Sequence, residues 1–385
     1  MRLFEQDSLG RLVALIQILF LWIGLFFIFV GGYGIYFALL RFYANKPWGL
    51  RIDENFMPAV TILIPAHNEE EIIELKLENI SKVSYPKEKM EVILADDAST
   101  DGTLSKVYDF SKRHPELYIK VVKQNPRVGK AKVLNAALPV STNDIIIVSD
   151  ADSFLPSDIL LKALPYLSDP TIGAITASGA IDKPGQSWVT KGETNYLKTM
   201  RLLRLGESKI YSTIRFEGGF CAYKKSTFEK FDCESGSDDS GTALYVVQNK
   251  FRTILVPEAT FTTNFPSQLK DKIRAKTRRA NHLIWLWIKC LKLLLKRRLF
   301  LPKRIAIPEI FISIFNPIVF LVLIVVTLVR ILLYPFLSIL WIFVLLAVST
   351  IPTIRSYFIE ITLDNLILLY ALLLCIRRKK FIAWN

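Results

Sequence analysis

The chain has 385 residues, enough for one large domain or two smaller ones, and carries 49 basic against 35 acidic residues for a net charge of +14. No arginine-rich tail or basic stripe interleaved with aromatics accompanies that charge, so no nucleic acid is expected as a partner; membrane-flanking lysines and arginines plus an anionic-ligand site account for it. Four cysteines without a C-x-x-C pair (Cys221, Cys233, Cys290, Cys375) and three scattered histidines argue against a zinc site or a disulfide framework.

The first element is apolar. Between Arg11 and Arg41 lie 29 residues without a charge. About 20 apolar residues cross a bilayer core, so the stretch reads as a transmembrane helix, too long and uninterrupted for a cleaved signal peptide. Val60–Ile64 then reads as a strand ending in Pro65-Ala-His-Asn-Glu-Glu70, with a helix over Glu70–Ser81. Glu91–Ala95 is a second strand, ending in Asp96-Asp-Ala-Ser-Thr-Asp-Gly102, with a helix over Asp101–His114. Tyr118–Val122 is a third strand, and Gly129-Lys-Ala-Lys132 opens a helix over Lys130–Leu138. A glycine start and a lysine there suit an anionic diphosphate, without the second glycine and Ser/Thr of a P-loop.

Ile145–Val148 is a fourth strand, and Asp150-Ala-Asp152 follows it. Carboxylates just past the carboxyl end of a buried parallel strand lie where open α/β sheets bind ligands. Two acids one residue apart can offer hard oxygen ligands to Mg²⁺ or Mn²⁺ and leave room for a phosphate on the same ion. Alternating strands and helices predict an α/β fold with a mostly parallel, doubly wound sheet, in which three polar clusters converge on one edge.

Further along stand Gly218-Gly-Phe-Cys-Ala-Tyr223, whose adjacent glycines permit close backbone approach to a ligand, and Ser237-Asp238-Asp239-Ser240 in a Gly/Ser-rich stretch. A helix over Thr242–Lys250 and a strand over Thr253–Val256 follow. Leu283–Leu301 is amphipathic, with Lys289, Lys292 and Lys296 at helical spacing, and reads as a helix in the headgroup plane. Two more uncharged runs come last, 20 residues between Glu309 and Arg330 and 24 between Arg330 and Arg355. Ile361–Ile376 contains Asp364 and leaves only 12 uncharged residues before Arg377, so it reads as a docked or interfacial segment rather than a firm span.

Pro65-Ala-His-Asn-Glu69, Asp96–Gly102, Gly129–Asn135, Asp150-Ala-Asp152, Gly218-Gly219 and Asp238-Asp239, taken together, resemble the family 2 glycosyltransferases of GT-A fold, over about Pro58 to Ile284. The resemblance extends to membrane-anchored members of the polyprenyl-phosphate glycosyltransferase and cellulose-synthase-like superfamily. It implies an inverting hexosyltransferase that uses a nucleoside diphosphate sugar, UDP- or GDP-linked, with Mg²⁺ or Mn²⁺. It puts Pro65, Ala66, Asn68, Glu69, Asp96 or Asp97, Lys130 and Asp150 on the donor. Asp152, with Asp150, holds the metal. Gly218, Gly219 and Phe220 border the acceptor, and Asp239, or its neighbour Asp238, is the base that takes the acceptor's proton. Processive relatives carry Gln-x-x-Arg-Trp on a later helix; the stretch here is Lys276-Thr-Arg-Arg-Ala280. Lys276, Arg278 and Arg279 keep a charge suited to a diphosphate, while the missing tryptophan argues against polymer synthesis.

The expected organisation is a transmembrane helix over residues 1–45, a catalytic domain over 46–282, an amphipathic helix over 283–304 and a membrane region over 305–385. The expected function is transfer of a sugar to a lipid or lipid-linked acceptor by a multi-pass cell-membrane protein whose catalytic domain is cytoplasmic. A processive polysaccharide synthase and an inactive scaffold are the alternatives.

Overall fold

The computed structural model describes residues 2–182, 188–264, 268–335, 339 and 350–378. Its centre is one eight-stranded sheet in the order β3-β2-β1-β4-β7-β6-β8-β5. The four strands expected from the sequence are β1 (Val60–Ala66), β2 (Met90–Asp97), β3 (Tyr118–Gln124) and β4 (Ile145–Val148). They run parallel, with Val60 opposite Met90 and Ile145, and Glu91 opposite Tyr118. The isoleucine, leucine and valine runs of β1, β2 and β4 are buried throughout, as expected of parallel strands covered on both faces.

The far half of the sheet is mixed. β7 (Cys221–Lys224) lies antiparallel to β4 and to β6 (Ile172–Ile181). β8 (Arg252–Thr263) runs parallel to β6, and the two-residue β5 (Ser153–Phe154) pairs antiparallel with its end. Thus β4 leads directly into the Asp150–Asp152 turn, and β5 pins the far side of that turn to β8.

Helices cover both faces: α2 (Ile73–Ser81), α3 (Thr103–Arg113), α4 (Lys130–Ala137), the short α5 (Ile159–Ala163), α6 (Trp188–Ile210) and α7 (Asp238–Gln248). Beyond them runs α8 (Leu269–Leu295), unbroken across the position where a separate amphipathic helix was expected to begin. Most of the apolar residues of that stretch face protein, Leu295 and Phe300 being the exposed exceptions. Leu286, Trp287 and Cys290 are buried in the core formed with α4, α7 and β7, and Ala280 and Ile284 are buried against the helix Pro352–Ile376 (α11). Lys289 is spent on the domain as well, 3.4 Å from Asp232 and 3.2 Å from Glu234.

Among the described residues three helical stretches are long and apolar enough to cross a membrane: Val13–Ala44 within α1 (Arg2–Ala44), Lys303–Leu333 formed by α9 (Lys303–Ile310) with α10 (Asn316–Leu333), and Phe358–Ile376 within α11. The last is the segment that Asp364 had disqualified in the sequence. Most of the apolar run between Arg330 and Arg355 lies outside the described residues.

α1 packs on both other parts of the molecule. Its Phe29 stacks on Phe320 of α10 at 5.3 Å, and the Trp22 indole N–H donates to Thr327 at 2.8 Å. Against α6 the backbones nearly touch: a Cβ on Gly206 would lie 2.4 Å from the Leu40 carbonyl oxygen, so only glycine allows this crossing.

Candidate active site

The first two polar loops are built into one another. The backbone N–H of Asn68 donates to Ser99 Oγ at 3.0 Å, and the Asn68 side chain accepts from the Thr100 N–H at 2.8 Å. Glu70 accepts from the Gly102 N–H at 2.9 Å, and the Glu69 N–H donates to Thr103 Oγ1 at 2.8 Å. Asp96 and Asp97 are both fully buried. Asp96 accepts from the Ser99 N–H, while the two Asp97 oxygens accept from the N–H groups of Val128 and Gly129, at 2.7 and 2.8 Å. Asp97 therefore clamps the turn that launches α4, and Lys130 leaves that turn at the first helical position.

Lys130 reaches the centre of a cavity of about 600 Å³. Its ammonium lies 2.7 Å from Asp150, 3.1 Å from Asp238 and 3.5 Å from Asp239. Acids that follow β4 and acids that open α7 thus face each other through one cation. Asp238 and Asp239 occupy the first turn of α7, where the helix dipole favours negative charge. Their protonation differs. Burial pushes both carboxyls up, but at Asp238 the charge of Lys130 together with hydrogen bonds from Asp239 and Lys130 holds the group low. At Asp239 burial, reinforced by the Asp238 charge, wins and drives the carboxyl well above its ordinary range. Burial opposes the charge of Lys130 too, but Asp150, Asp238 and Asp239 hold its proton firmly.

On the opposite wall Asp150, Asp152 and Glu69 crowd together. Burial and then the charges of Asp152 and Asp150 push Glu69 up to about 7. Burial and then Asp150 raise Asp152. Gly218 and Gly219 close the space between these acids and β8. A Cβ on Gly218 would sit 2.4 Å from Asp150 Oδ2, and one on Gly219 would sit 2.0 Å from the Phe261 ring.

Pro65, Glu69, Lys130, Asp150, Asp152, Gly218, Gly219, Asp238, Asp239, Arg278 and Arg279 all line the cavity. Ala66, Asp96, Asp97, Phe220 and Lys276 do not, and Asn68 lines a shallow groove beside it with Glu70 and Asp101. Phe220 is fully buried in the core. Lys276 points away into ion pairs with Asp364, Glu360 and Glu193, at 2.8, 3.2 and 3.8 Å.

Arg204, Glu217, Arg215 and Glu193 are among the charged lining residues that carried no motif in the sequence. Arg204 lies 2.7 Å from Glu217, whose other oxygen accepts from the Gly179 N–H at 2.8 Å. Arg215 pairs with Glu309 of α9, and Glu193 of α6 lies 3.3 Å from Arg279. Only the adjacency of Glu217 to Gly218 could have drawn attention to one of them.

This arrangement matches a known family over its own extent. The model of "Glycosyltransferase like family 2" matches residues 58–281. The chain belongs to the family 2 glycosyltransferases. The structure is similar to that of the mannosyltransferase PcManGT from Pyrobaculum calidifontis in complex with GDP-Man and Mn²⁺, with a TM-score of 0.80 and 28% identity over 94% of this chain and 99% of that one. By sequence it is 33% identical over 162 residues to a beta-monoglucosyldiacylglycerol synthase of Nostoc sp., covering 42% of this chain and 33% of the synthase. It is 26% identical over 200 residues to a poly-beta-1,6-N-acetyl-D-glucosamine synthase of Staphylococcus aureus, covering 51% of this chain and 47% of that one. The chain thus spans a third to a half of the length of these two curated relatives. The expected GT-A domain, flanked by apolar helices on both sides, is the architecture present.

Proposed function

We propose that the protein is a membrane-bound inverting glycosyltransferase that moves a hexose from a nucleoside diphosphate sugar to a lipid or lipid-linked acceptor. The observation that carries this reading is the meeting of Asp150, Asp238 and Asp239 on Lys130 across one cavity. The donor diphosphate lies between the Asp150–Asp152 turn and the guanidinium groups of Arg278 and Arg279. Its anionic oxygens match those cations, and arginine suits phosphate recognition. The nucleoside extends over the interlocked first and second loops.

The carboxylates fit a divalent cation. After burial, the charges of Asp152 and Asp150 raise Glu69 and that of Asp150 raises Asp152, a repulsion that a bound cation would relieve. No three acidic, histidine or cysteine side chains among the described residues converge as a ready-made metal cage. Asp152, with Asp150, would therefore hold Mg²⁺ or Mn²⁺ together with diphosphate oxygens. Such an ion neutralises charge that develops on the leaving nucleotide.

Asp239 takes the proton of the acceptor hydroxyl as its oxygen attacks the anomeric carbon. A base accepts only when ionised, so Asp239 acts after releasing the proton that burial and the Asp238 charge hold on it, while the low-lying Asp238 stays ionised on Lys130. Gly218 and Gly219, packed on Asp150 and Phe261, border the space in which sugar and acceptor meet.

The acceptor arrives from the bilayer. α1 and the α9–α10 stretch flank the domain, with Arg41, Lys46, Lys303 and Arg304 at their domain ends, so the positive-inside rule puts the catalytic domain in the cytoplasm. The test is purified protein in nanodiscs with labelled GDP- and UDP-sugars and a lipid extract. One or a few sugars on an organic-soluble product is the expected outcome. A long water-soluble polymer would favour the processive synthase.

A further inference from the structure

Lys76 is fully buried, on the inward face of α2 with Ile73, Leu77 and Ile80. A buried ammonium is costly unless its donors find partners. This one donates to the Ser149 hydroxyl at 2.6 Å and to the carbonyl of Ser153. Those two residues bracket the Asp150-Ala-Asp152 turn, one at its entry and one at its exit. The Ser149 hydroxyl in turn donates to the Gly219 carbonyl at 2.7 Å, and the Asp150 N–H donates to the Gly218 carbonyl at 3.0 Å. A single side chain thus holds both ends of the acidic turn and, through Ser149, joins it to the glycine loop on the acceptor side. Lys76 itself does not line the cavity and touches no reacting group.

We propose that Lys76 is a positioning residue that holds the Asp150–Asp152 turn in its ligand-binding shape and fixes its register against the Gly218–Gly219 loop. The inference rests on the reading of that turn as the metal and diphosphate site. Residues one step behind metal ligands commonly contribute about 10- to 100-fold to metal affinity. The sign of the effect separates geometry from charge. Removing a cation close to Asp150 and Asp152 would by Coulomb's law alone tighten the binding of a divalent ion. Losing the clamp loosens it.

The experiment measures Mn²⁺ binding by electron paramagnetic resonance on the full chain in detergent, with GDP and with UDP, alongside thermal unfolding. Lys76→Met keeps the length and removes the donors. It should weaken Mn²⁺ binding about 10-fold with little change in Tm, because relief of a buried charge offsets the cost of leaving the Ser153 carbonyl without its donor. Ser149→Ala should weaken binding less, and the double variant should match Lys76→Met rather than add to it, since both act through one chain of bonds. Unchanged or tighter Mn²⁺ binding in Lys76→Met overturns the proposal. If Lys76→Met does not fold, unchanged Mn²⁺ affinity in Ser149→Ala overturns it. A wild-type chain that binds no Mn²⁺ overturns the metal reading instead. The shift in Tm given by GDP or UDP then decides, and an equal shift in wild type and Lys76→Met sinks the positioning role.

Discussion

The Lys276 ammonium lies 2.8 Å from a carboxylate oxygen of Asp364, joining the helix that carries Arg278 and Arg279 to the apolar helix α11. Glu360 of α11 sits 3.2 Å from the same lysine and 2.7 Å from Lys272 one turn earlier. The acids that make α11 a doubtful membrane segment in sequence are the groups that seat it on the domain. Lys276 stands where processive relatives carry glutamine, and its position favours a structural use over contact with a diphosphate.

Breaking this cluster should unseat α11. Lys276→Ala leaves Asp364 without its ion-pair partner, while Glu193 keeps Arg279, and should cost about 3 kcal/mol, the scale for removing one member of a buried ion pair. Lys276→Met combined with Asp364→Leu should recover most of the loss. Thermal unfolding of the two variants checks this. A normal Tm for Lys276→Ala with weakened nucleotide binding would return the lysine to the donor.

Asp238 and Asp239 should differ sharply despite being neighbours. Asp239→Asn keeps the size of the side chain and removes its basicity, so kcat should fall about 10²- to 10⁴-fold while the nucleotide-induced shift in Tm persists. Asp238→Asn should instead release Lys130 and weaken donor binding. Steady-state kinetics with paired thermal shifts separate the two. An active Asp239→Asn with a dead Asp238→Asn would exchange their roles.

The parallel half of the fold was legible because β1, β2 and β4 are continuous aliphatic runs that end in polar clusters. β7 was not: Cys221–Lys224 has four residues and becomes a strand only by pairing with β4 and β6. Lys130, Asp150, Asp238 and Asp239 could be named from motifs, but that the Lys130 ammonium touches the three acids could not, since the four residues come from three separate elements. Lys76 belongs to no motif and Lys276 reads in sequence as a diphosphate ligand; only tertiary packing supplies the serines and acids that bury them. The same limit hid the apolar partner of Leu286 and Trp287. Amphipathicity says that a helix has a covered face, not whether lipid or protein covers it.

The α1–α6 crossing gives a prediction far from the cavity. Gly206→Ala forces a methyl to 2.4 Å from the Leu40 carbonyl, which only a shift of one helix relieves. Overpacking of this kind costs about 1–3 kcal/mol. Thermal unfolding should show that loss, and an unchanged Tm would mean that the helices separate freely.

Beside that crossing Glu207 controls how stability responds to pH. It is buried, accepting from the Tyr36 hydroxyl of α1 at 2.9 Å and from Thr213 at 2.6 Å. Burial, then the charge of Glu309, pushes its carboxyl up to about 8, against the pull of Arg215. An unfolded glutamate titrates near about 4.3. Between those values the folded chain holds a proton that the unfolded chain has released, so raising the pH favours unfolding. The contribution is complete below the unfolded value, declines across the window and is gone above about 8. Glu207→Gln cannot ionise; its carbonyl oxygen accepts from one hydroxyl and its amide N–H donates to the other. It should match wild type at low pH, exceed it in Tm at high pH and flatten the slope between. Thermal unfolding in detergent at three pH values across the window checks this. Parallel slopes for the two chains would mean that Arg215 keeps Glu207 ionised throughout.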